Sequence, residues 1–459
     1  MRILFATAEV DPFSKVGGLA DVAASLPRRL MEMGHDVRIV APCHRASMAA
    51  HAASTTHRAY TVALPGRPRD IDVGVAEGYG GVPVYLVADS HYFGEREVYG
   101  EPDDLLRYQF FCRAIIEMLK QDAWVPDILH LNDWHTAPLA FALRNLAWTN
   151  PKLRGVASVF TIHNLRYRGP DELNDFLLQA IYYSDIITTV SPSYAREILT
   201  QEYGEGLEPL LQLRGDALIG ILNGVNYDVF NPRTDPFASH QYDLGTLEER
   251  SRNRAALRQE LKLPETEGPL LGMVTRLTEQ KGVDLVLQAI PEILAAGAQL
   301  VVLGEGDEWL VDELTRLQVE HPDNVRLAAR YDVGLAQRIY AGVDIFLMPS
   351  RYEPCGLGQI IAMRYGAMPI GRRTGGLGDT ILDADENPDG GTGFLFDEFS
   401  SFGLVSAFER ATRAFRDPDA WLRLQSNGMS RDYSWRASAT HYVEAYIAAL
   451  RARGIVPRQ

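Results

Sequence analysis

The chain has 459 residues, with 45 Lys plus Arg against 60 Asp plus Glu and a formal net charge of −15. That acidic balance excludes a nucleic-acid duplex or an anionic membrane as the main partner, and 46% hydrophobic with 23% charged residues excludes a disordered or fibrous chain. A single core stops growing near about 250–300 residues, so at least two domains are expected.

At the N-terminus, Met1–Ala8 ends in Ala6-Thr7-Ala8, but its apolar stretch is too short for a signal-peptide core and Glu9 and Asp11 follow at once. Nowhere do about 18 apolar residues run together, so no membrane span is expected. Short apolar runs at Ile3–Ala8, Val37–Ala41, Asp127–Leu131, Val156–Ile162 and Ile186–Val190 each predict a buried strand, most of them followed by a Gly, Asn or Ser turn and a helical pattern. The rhythm resumes at Leu270–Val274, Gln299–Leu303, Asp344–Met348 and Met368–Gly371. Strands alternating with helices predict parallel sheets, which bind ligands outside the carboxyl ends of their strands.

Between Asn231 and Gly268 the strand signal disappears and Pro232, Pro236 and Pro264 punctuate a polar stretch. The predicted organisation is a first domain over 1–235, a linker over 236–266, a second domain over 267–435 and a terminal helix over 436–459. Tyr442, Tyr446, Ile447 and Leu450 lie at helical spacing in that last segment, and the face they form is expected to pack back on the first domain.

The loops after the strands hold the candidate chemistry. Lys15 stands beside Gly17-Gly18 ahead of a helical pattern, where glycines admit a ligand to the backbone and helix-start amides attract an anion; a tight turn with a solvated lysine is the plain alternative. Neither Gly-x-Gly-x-x-Gly nor Gly-x-x-x-x-Gly-Lys-Ser/Thr is present there. Lys15–Asp21 is echoed by Arg373–Asp379, which suggests two equivalent loops. Arg276 and Lys281 lie five apart in a polar loop and are spaced to grip one pyrophosphate, or else form a solvated cationic turn. His130-Leu131-Asn132-Asp133-Trp134-His135 and His163-Asn164 end strands, but they lack short metal-ligand spacing and His-Glu-x-x-His is absent, so no metal is expected. Glu353, in Ser350–Gly358, either holds sugar hydroxyls beside helix-start amides, or caps the helix or pairs with Arg351. Cys355 reads as packed rather than nucleophilic. Cys43, Cys112 and Cys355 are odd in number and far apart, which favours a reducing, cytoplasmic setting.

Taken together, Lys15–Val22, His163-Asn164, Asn223-Gly224-Val225-Asn226, Arg276 with Lys281, Glu353-Pro354-Cys355-Gly356-Leu357 and Thr374-Gly375-Gly376-Leu377 resemble the glycosyltransferase family of bacterial glycogen synthases and starch synthases, in order and over nearly the whole chain. The resemblance implies a GT-B fold: two Rossmann-like domains with parallel sheets facing across an interdomain cleft. It implies retaining transfer of glucose from ADP-glucose, less often UDP-glucose, to the non-reducing end of an α-1,4-glucan (glycogen or a maltooligosaccharide), with no metal and no cofactor. By resemblance, Arg276 and Lys281 neutralise the diphosphate, and Lys15 and Gly18 belong to a donor-side loop. Asp21, Asn223 and Glu353 contact glucose, Tyr331 stacks on adenine, and Tyr99, Asp133 and His135 serve the acceptor. The His163 carbonyl shields C1, and the segments Cys355-Gly356-Leu357 and Thr374-Gly375 bind substrate. Two departures are visible. Related small-acceptor transferases carry Glu-x₇-Glu, but the second position here is Ile361, and Gly358 stands where the family commonly has Thr. The rival readings are a retaining glucosyltransferase with a small acceptor and a non-catalytic glucan-binding scaffold.

Overall fold

A computed structural model of the chain describes residues 1–64, 66–169 and 175–455. It divides into two compact units, one formed by Met1–Gly224 with Trp435–Gln459 and the other by Val225–Ser434.

The first unit contains β1 (Arg2–Ala6), β2 (Asp36–Pro42), β3 (Thr56–Val62), β4 (Arg69–Glu77), β5 (Pro83–Ala88), β6 (Ile128–Asn132), β7 (Ala157–Ile162), β8 (Ile186–Thr189) and β9 (Leu218–Gly220). Their order in one sheet is β3-β4-β5-β2-β1-β6-β7-β8-β9. The expectation of uniformly parallel sheets needs correction at one edge, where β3 pairs antiparallel with β4 and β4 antiparallel with β5. The connection from Val62 to Arg69 is too short for a crossover, so the chain has to turn back on itself. From β5 to β9 the strands are parallel, and β6 and β7 are buried along their whole length.

Helix Gly18–Glu32 buries Leu19, Val22, Ala23, Leu26 and Leu30, a stripe of helical period that packs on this sheet. Helix Trp435–Ala452 belongs to the same unit and sinks Trp435, Tyr442, Tyr446 and Leu450 into the same core. At about 1.5–3 kcal/mol for each large side chain removed from water, that face is a substantial part of the unit's stability.

In the second unit β10 (Leu270–Val274), β11 (Gln299–Leu303), β12 (Val325–Ala328), β13 (Ile345–Met348), β14 (Met368–Arg372) and β15 (Phe394–Phe396) form a parallel sheet in the order β12-β11-β10-β13-β14-β15. The segment 236–266, read from the sequence as a linker, carries helix Arg250–Glu260, and its Arg250, Asn253, Leu257 and Arg258 are buried within this unit.

Both sheets reverse their winding beside their first strand, between β1 and β6 in one unit and between β10 and β13 in the other. At such a switch point neighbouring loops diverge and leave a crevice outside the carboxyl ends of the strands. Each unit therefore offers one such place for chemistry.

Candidate active site

In the first unit the crevice is bounded by the loops after β1 and β6. Glu9, 2% exposed, turns back into the β1 loop, accepting the Val16 and Gly17 amides at 2.5 and 3.0 Å and the Tyr99 hydroxyl. Burial pushes its carboxyl pKa up and these donors pull it back. The loop so gathered presents Lys15, whose Nζ lies 2.5 Å from Asp21 Oδ1 and 3.5 Å from Asp11 Oδ2. Burial raises the Asp21 pKa against the lowering effect of Lys15.

After β6, Asp133 takes a left-handed backbone with φ 52°, a strained conformation for a residue with a Cβ. Its Oδ1 accepts the His163 amide at 2.8 Å, tying the end of β6 to the end of β7. Burial lifts the Asp133 carboxyl to about 7, against the lowering effect of the His163 and Asn164 amides. His163 Nε2 meets Asn132 Oδ1 at 2.9 Å, and burial drops the imidazole to about 3, so the ring is neutral and carries no titrating proton near pH 7. His135 lies among Tyr99, Tyr108 and Trp134, with ring centroids 4.8, 4.6 and 4.1 Å away, and burial holds its pKa well below the usual range. Asn223, 7% exposed, precedes the end of the unit.

In the second unit the crevice lies between the loops after β10 and β13. Leu277 N donates to Glu305 O at 2.8 Å, and a Cβ on Gly304 would lie 1.8 Å from the Thr275 carbonyl oxygen. Only glycine permits this approach, which braces the loop carrying Arg276 and Lys281. Arg276 is exposed, with Nη2 3.4 Å from Gln280 Oε1. Lys281 Nζ reaches Glu353 Oε2 at 2.6 Å, and the Ser350 hydroxyl donates to the same oxygen at 3.0 Å.

The β13 loop is held from beneath. Gln359 Nε2 donates to the carbonyls of Cys355 and Gly356, both at 3.0 Å, and to Thr380 Oγ1 at 3.1 Å. Gly376 N donates to Glu353 O at 3.1 Å, and neighbouring Gly375 has φ 44°, where a Cβ would lie 2.0 Å from that same carbonyl oxygen. Thr374 is buried at the start of helix Gly375–Thr380, and Cys355 is 5% exposed. Lys281 beside Glu353, with Arg276 five residues before it, offers positive charge suited to a leaving group that gains negative charge.

Comparison with known proteins bears on that chemistry. A family model described as starch synthase catalytic domain matches residues 2–213, and one described as glycosyl transferases group 1 matches 268–413. The glycogen synthase of Desulforudis audaxviator is 40% identical, over 98% of this chain and 97% of its own length. That of Thermotoga maritima is 41% identical, over 99% of this chain and 100% of its own. The chain belongs to the glycogen synthase and starch synthase family of glycosyltransferases.

Among solved structures, the catalytic domain of starch synthase IV from Arabidopsis thaliana, bound to ADP and acarbose, aligns with a TM-score of 0.89 at 36% identity, covering 98% of this chain and 99% of that one. A sucrose-phosphate synthase from Thermosynechococcus elongatus aligns at 0.64 with 20% identity and shares the fold. The architecture is GT-B: two α/β units built on parallel-stranded sheets, the first with the antiparallel edge described above.

Within this family frame, the predicted residues fall into two groups. The first unit brings Lys15 to Asp21, Asp133 to His163, and Tyr99 to His135; the second brings Lys281 to Glu353 and Thr374-Gly375 to the Glu353 backbone. Tyr331 follows β12 with 74% of its surface exposed. Ile361, standing where a second glutamate would mark small-acceptor relatives, is buried in an apolar core. A Cβ on Gly358 would meet Phe346 Cε1 at 3.0 Å and Met348 Sδ at 3.1 Å, so a threonine there requires those side chains to give way.

The echo between Lys15–Asp21 and Arg373–Asp379 does not mark equivalent loops. The first follows β1, beside the switch point of its sheet, whereas the second follows β14, one strand further out. Arg373 is turned toward Glu386 and Asp397.

The sequence motifs contained Asn132 and Ser350 without giving them a role, and did not reach Glu9, Gly304 or Gln359. Glu9 follows β1 directly, and Gly304-Glu305-Gly306 follows β11 as a Gly-x-Gly, so position after a strand was the available signal for both. Gln359 carried none, because its partners are two backbone carbonyls and the Thr380 hydroxyl 21 residues on.

Proposed function

We propose that the chain transfers glucose from ADP-glucose to the non-reducing end of an α-1,4-glucan, glycogen or a maltooligosaccharide, with retention at C1, and acts in the cytoplasm. The Val225–Ser434 unit holds the nucleotide-sugar and the other unit serves the acceptor. Arg276 and Lys281 take the diphosphate, with the amides around Gly356 and Leu357, and Cys355, Thr374 and Gly375 line the same place. Glu353 grips a glucose hydroxyl, and Tyr331 stacks on the adenine. Lys15 and Gly18 contact the donor's phosphate and sugar, and Asp21 and Asn223 contact glucose. Tyr99, Asp133 and His135 meet the glucan, and the His163 carbonyl lies at C1.

The observation that carries this reading is the Lys281–Glu353 pair, 2.6 Å apart at the switch point of the second sheet with Arg276 five residues away. As the C1–O bond breaks, negative charge grows on the β-phosphate while C1 becomes cationic. Cations already in place stabilise that state more than the ground state. The acceptor attacks from the face of the departing phosphate, which takes the acceptor's proton. Neutral His163, with its amide committed to Asp133, supplies no acid.

The test is a radiolabelled transfer assay with ADP-glucose and UDP-glucose against glycogen, counting insoluble polymer. Faster incorporation from ADP-glucose is expected, and incorporation needs the glucan. No polymer from either donor, or transfer only to small sugars, would overturn the reading. A covalent glucosyl adduct trapped on Glu353 would replace front-face attack by double displacement.

A further inference from the structure

Away from every motif used above, the antiparallel edge of the first unit gathers two histidines and an aspartate. His51 comes from helix Met48–Ala52, His57 from β3 and Asp72 from β4. In the β3–β4 register His57 pairs with Gly74 and Ala59 with Asp72, so Asp72 lies diagonally across from His57 on one face of the hairpin. His57 Nδ1 is 2.7 Å and His51 Nε2 is 3.2 Å from the same oxygen, Asp72 Oδ2. The three potential ligand atoms all lie within 4.8 Å of one another. His51 Nε2 is buried and makes no hydrogen bond of regular geometry. Gly74 leaves the room that the His51 ring uses, since a Cβ there would come within 2.8 Å of His51 Cδ2.

We infer that His51, His57 and Asp72 form a binding site for a divalent transition-metal ion of the zinc class, which clips helix Met48–Ala52 to the β3–β4 hairpin. Two imidazoles and one carboxylate are a donor set that zinc accepts, leaving a fourth position to water. Tetrahedral zinc with ligands at about 2.0–2.1 Å holds its donor atoms about 3.3 Å apart. The two pairs that share Asp72 already approach that separation. The third closes by rotation of His57, whose side chain is 39% exposed. Because the ligands come from three separate segments, binding restrains an edge whose β3 is mostly exposed to solvent. The competing description is a metal-free His–Asp network with the same contacts.

The full chain, stripped with chelator and dialysed, is titrated with zinc chloride in a calorimeter. One equivalent is expected to bind saturably, and zinc is expected to raise Tm. Loss of even an outer-sphere partner weakens metal sites by about 10–100-fold, so His57→Ala and Asp72→Asn are each expected to weaken binding at least about tenfold and to abolish the Tm rise. His441→Ala, which alters the exposed His441–Glu444 pair elsewhere, is expected to change neither. Both test positions are substantially exposed, so the variants fold. Absence of saturable binding would overturn the proposal and leave the His–Asp network. Unchanged binding in His57→Ala and Asp72→Asn would overturn it equally, by showing that zinc is held elsewhere.

Discussion

Replacing Lys281 by alanine removes one partner of a pair whose side chains are 16% and 6% exposed and whose charged atoms lie 2.6 Å apart. At an effective dielectric of 20 the Coulomb attraction is about 6 kcal/mol, most of it offset by desolvation of the two ions. Losing one member of a buried pair costs about 3–5 kcal/mol because the other charge is stranded. Here the Ser350 hydroxyl still serves Glu353 from 3.0 Å, so the lower end is expected. The catalytic loss is separate. Removing a preorganised donor from a developing anion lowers turnover by about 10²–10³-fold. Initial rates of labelled glucose transfer to glycogen give kcat and KM, with Tm recorded alongside. Lys281→Ala is expected to lose at least about 10² in kcat. Lys281→Met with Glu353→Gln, which strands no charge, is expected to regain Tm without regaining turnover. An unchanged kcat with only donor KM raised would refute the argument, since Lys281 would then bind ground and transition states equally.

Further outcomes follow from the same geometry. Gly375→Ala puts a Cβ 2.0 Å from the Glu353 carbonyl at φ 44°, so it should cost at least about 1 kcal/mol and depress kcat; an unaffected Tm would contradict the close approach. Tyr99→Phe takes a donor from buried Glu9 and should cost about 1–3 kcal/mol, seen as a lower urea midpoint at constant m. Stability should rise with pH between about 3 and 6.5, because His44, His130 and His163 are each held at about 3 when folded but titrate near 6.5 when unfolded. Asp133, lifted to about 7, acts with the opposite sign, losing its share as pH climbs from 3.8 to 7, but three histidines outweigh it. In His130→Gln the slope of unfolding free energy against pH in this window should flatten by up to about 1.4 kcal/mol per unit, measured by urea titration; an unchanged slope would remove His130 as a cause.

How much of this could be read from the residues depended on the kind of interaction. Leu270–Val274 and Gln299–Leu303 are strands at the predicted bounds, because a parallel strand covered on both faces is a continuous apolar run. Thr56–Val62 escaped notice because most of an edge strand faces water and its polar side chains mask the pattern. Lys15 and Asp21 are six residues apart, across the turn into helix Gly18–Glu32, so one short motif held both. Lys281 and Glu353 are separated by 72 residues and meet because β10 and β13 are neighbours in the sheet.

The sequence alone determined which side chains were available and that they would stand after strands, since hydrophobic period and turn residues are local properties. Tertiary structure decided which of them share a charge. It set Glu9 against amides seven and eight residues on, Asp133 against the His163 amide and Gln359 beneath the Cys355 and Gly356 carbonyls. Those partners are backbone groups that every residue possesses, so no choice of amino acid announces them; only the path of the chain brings them within reach.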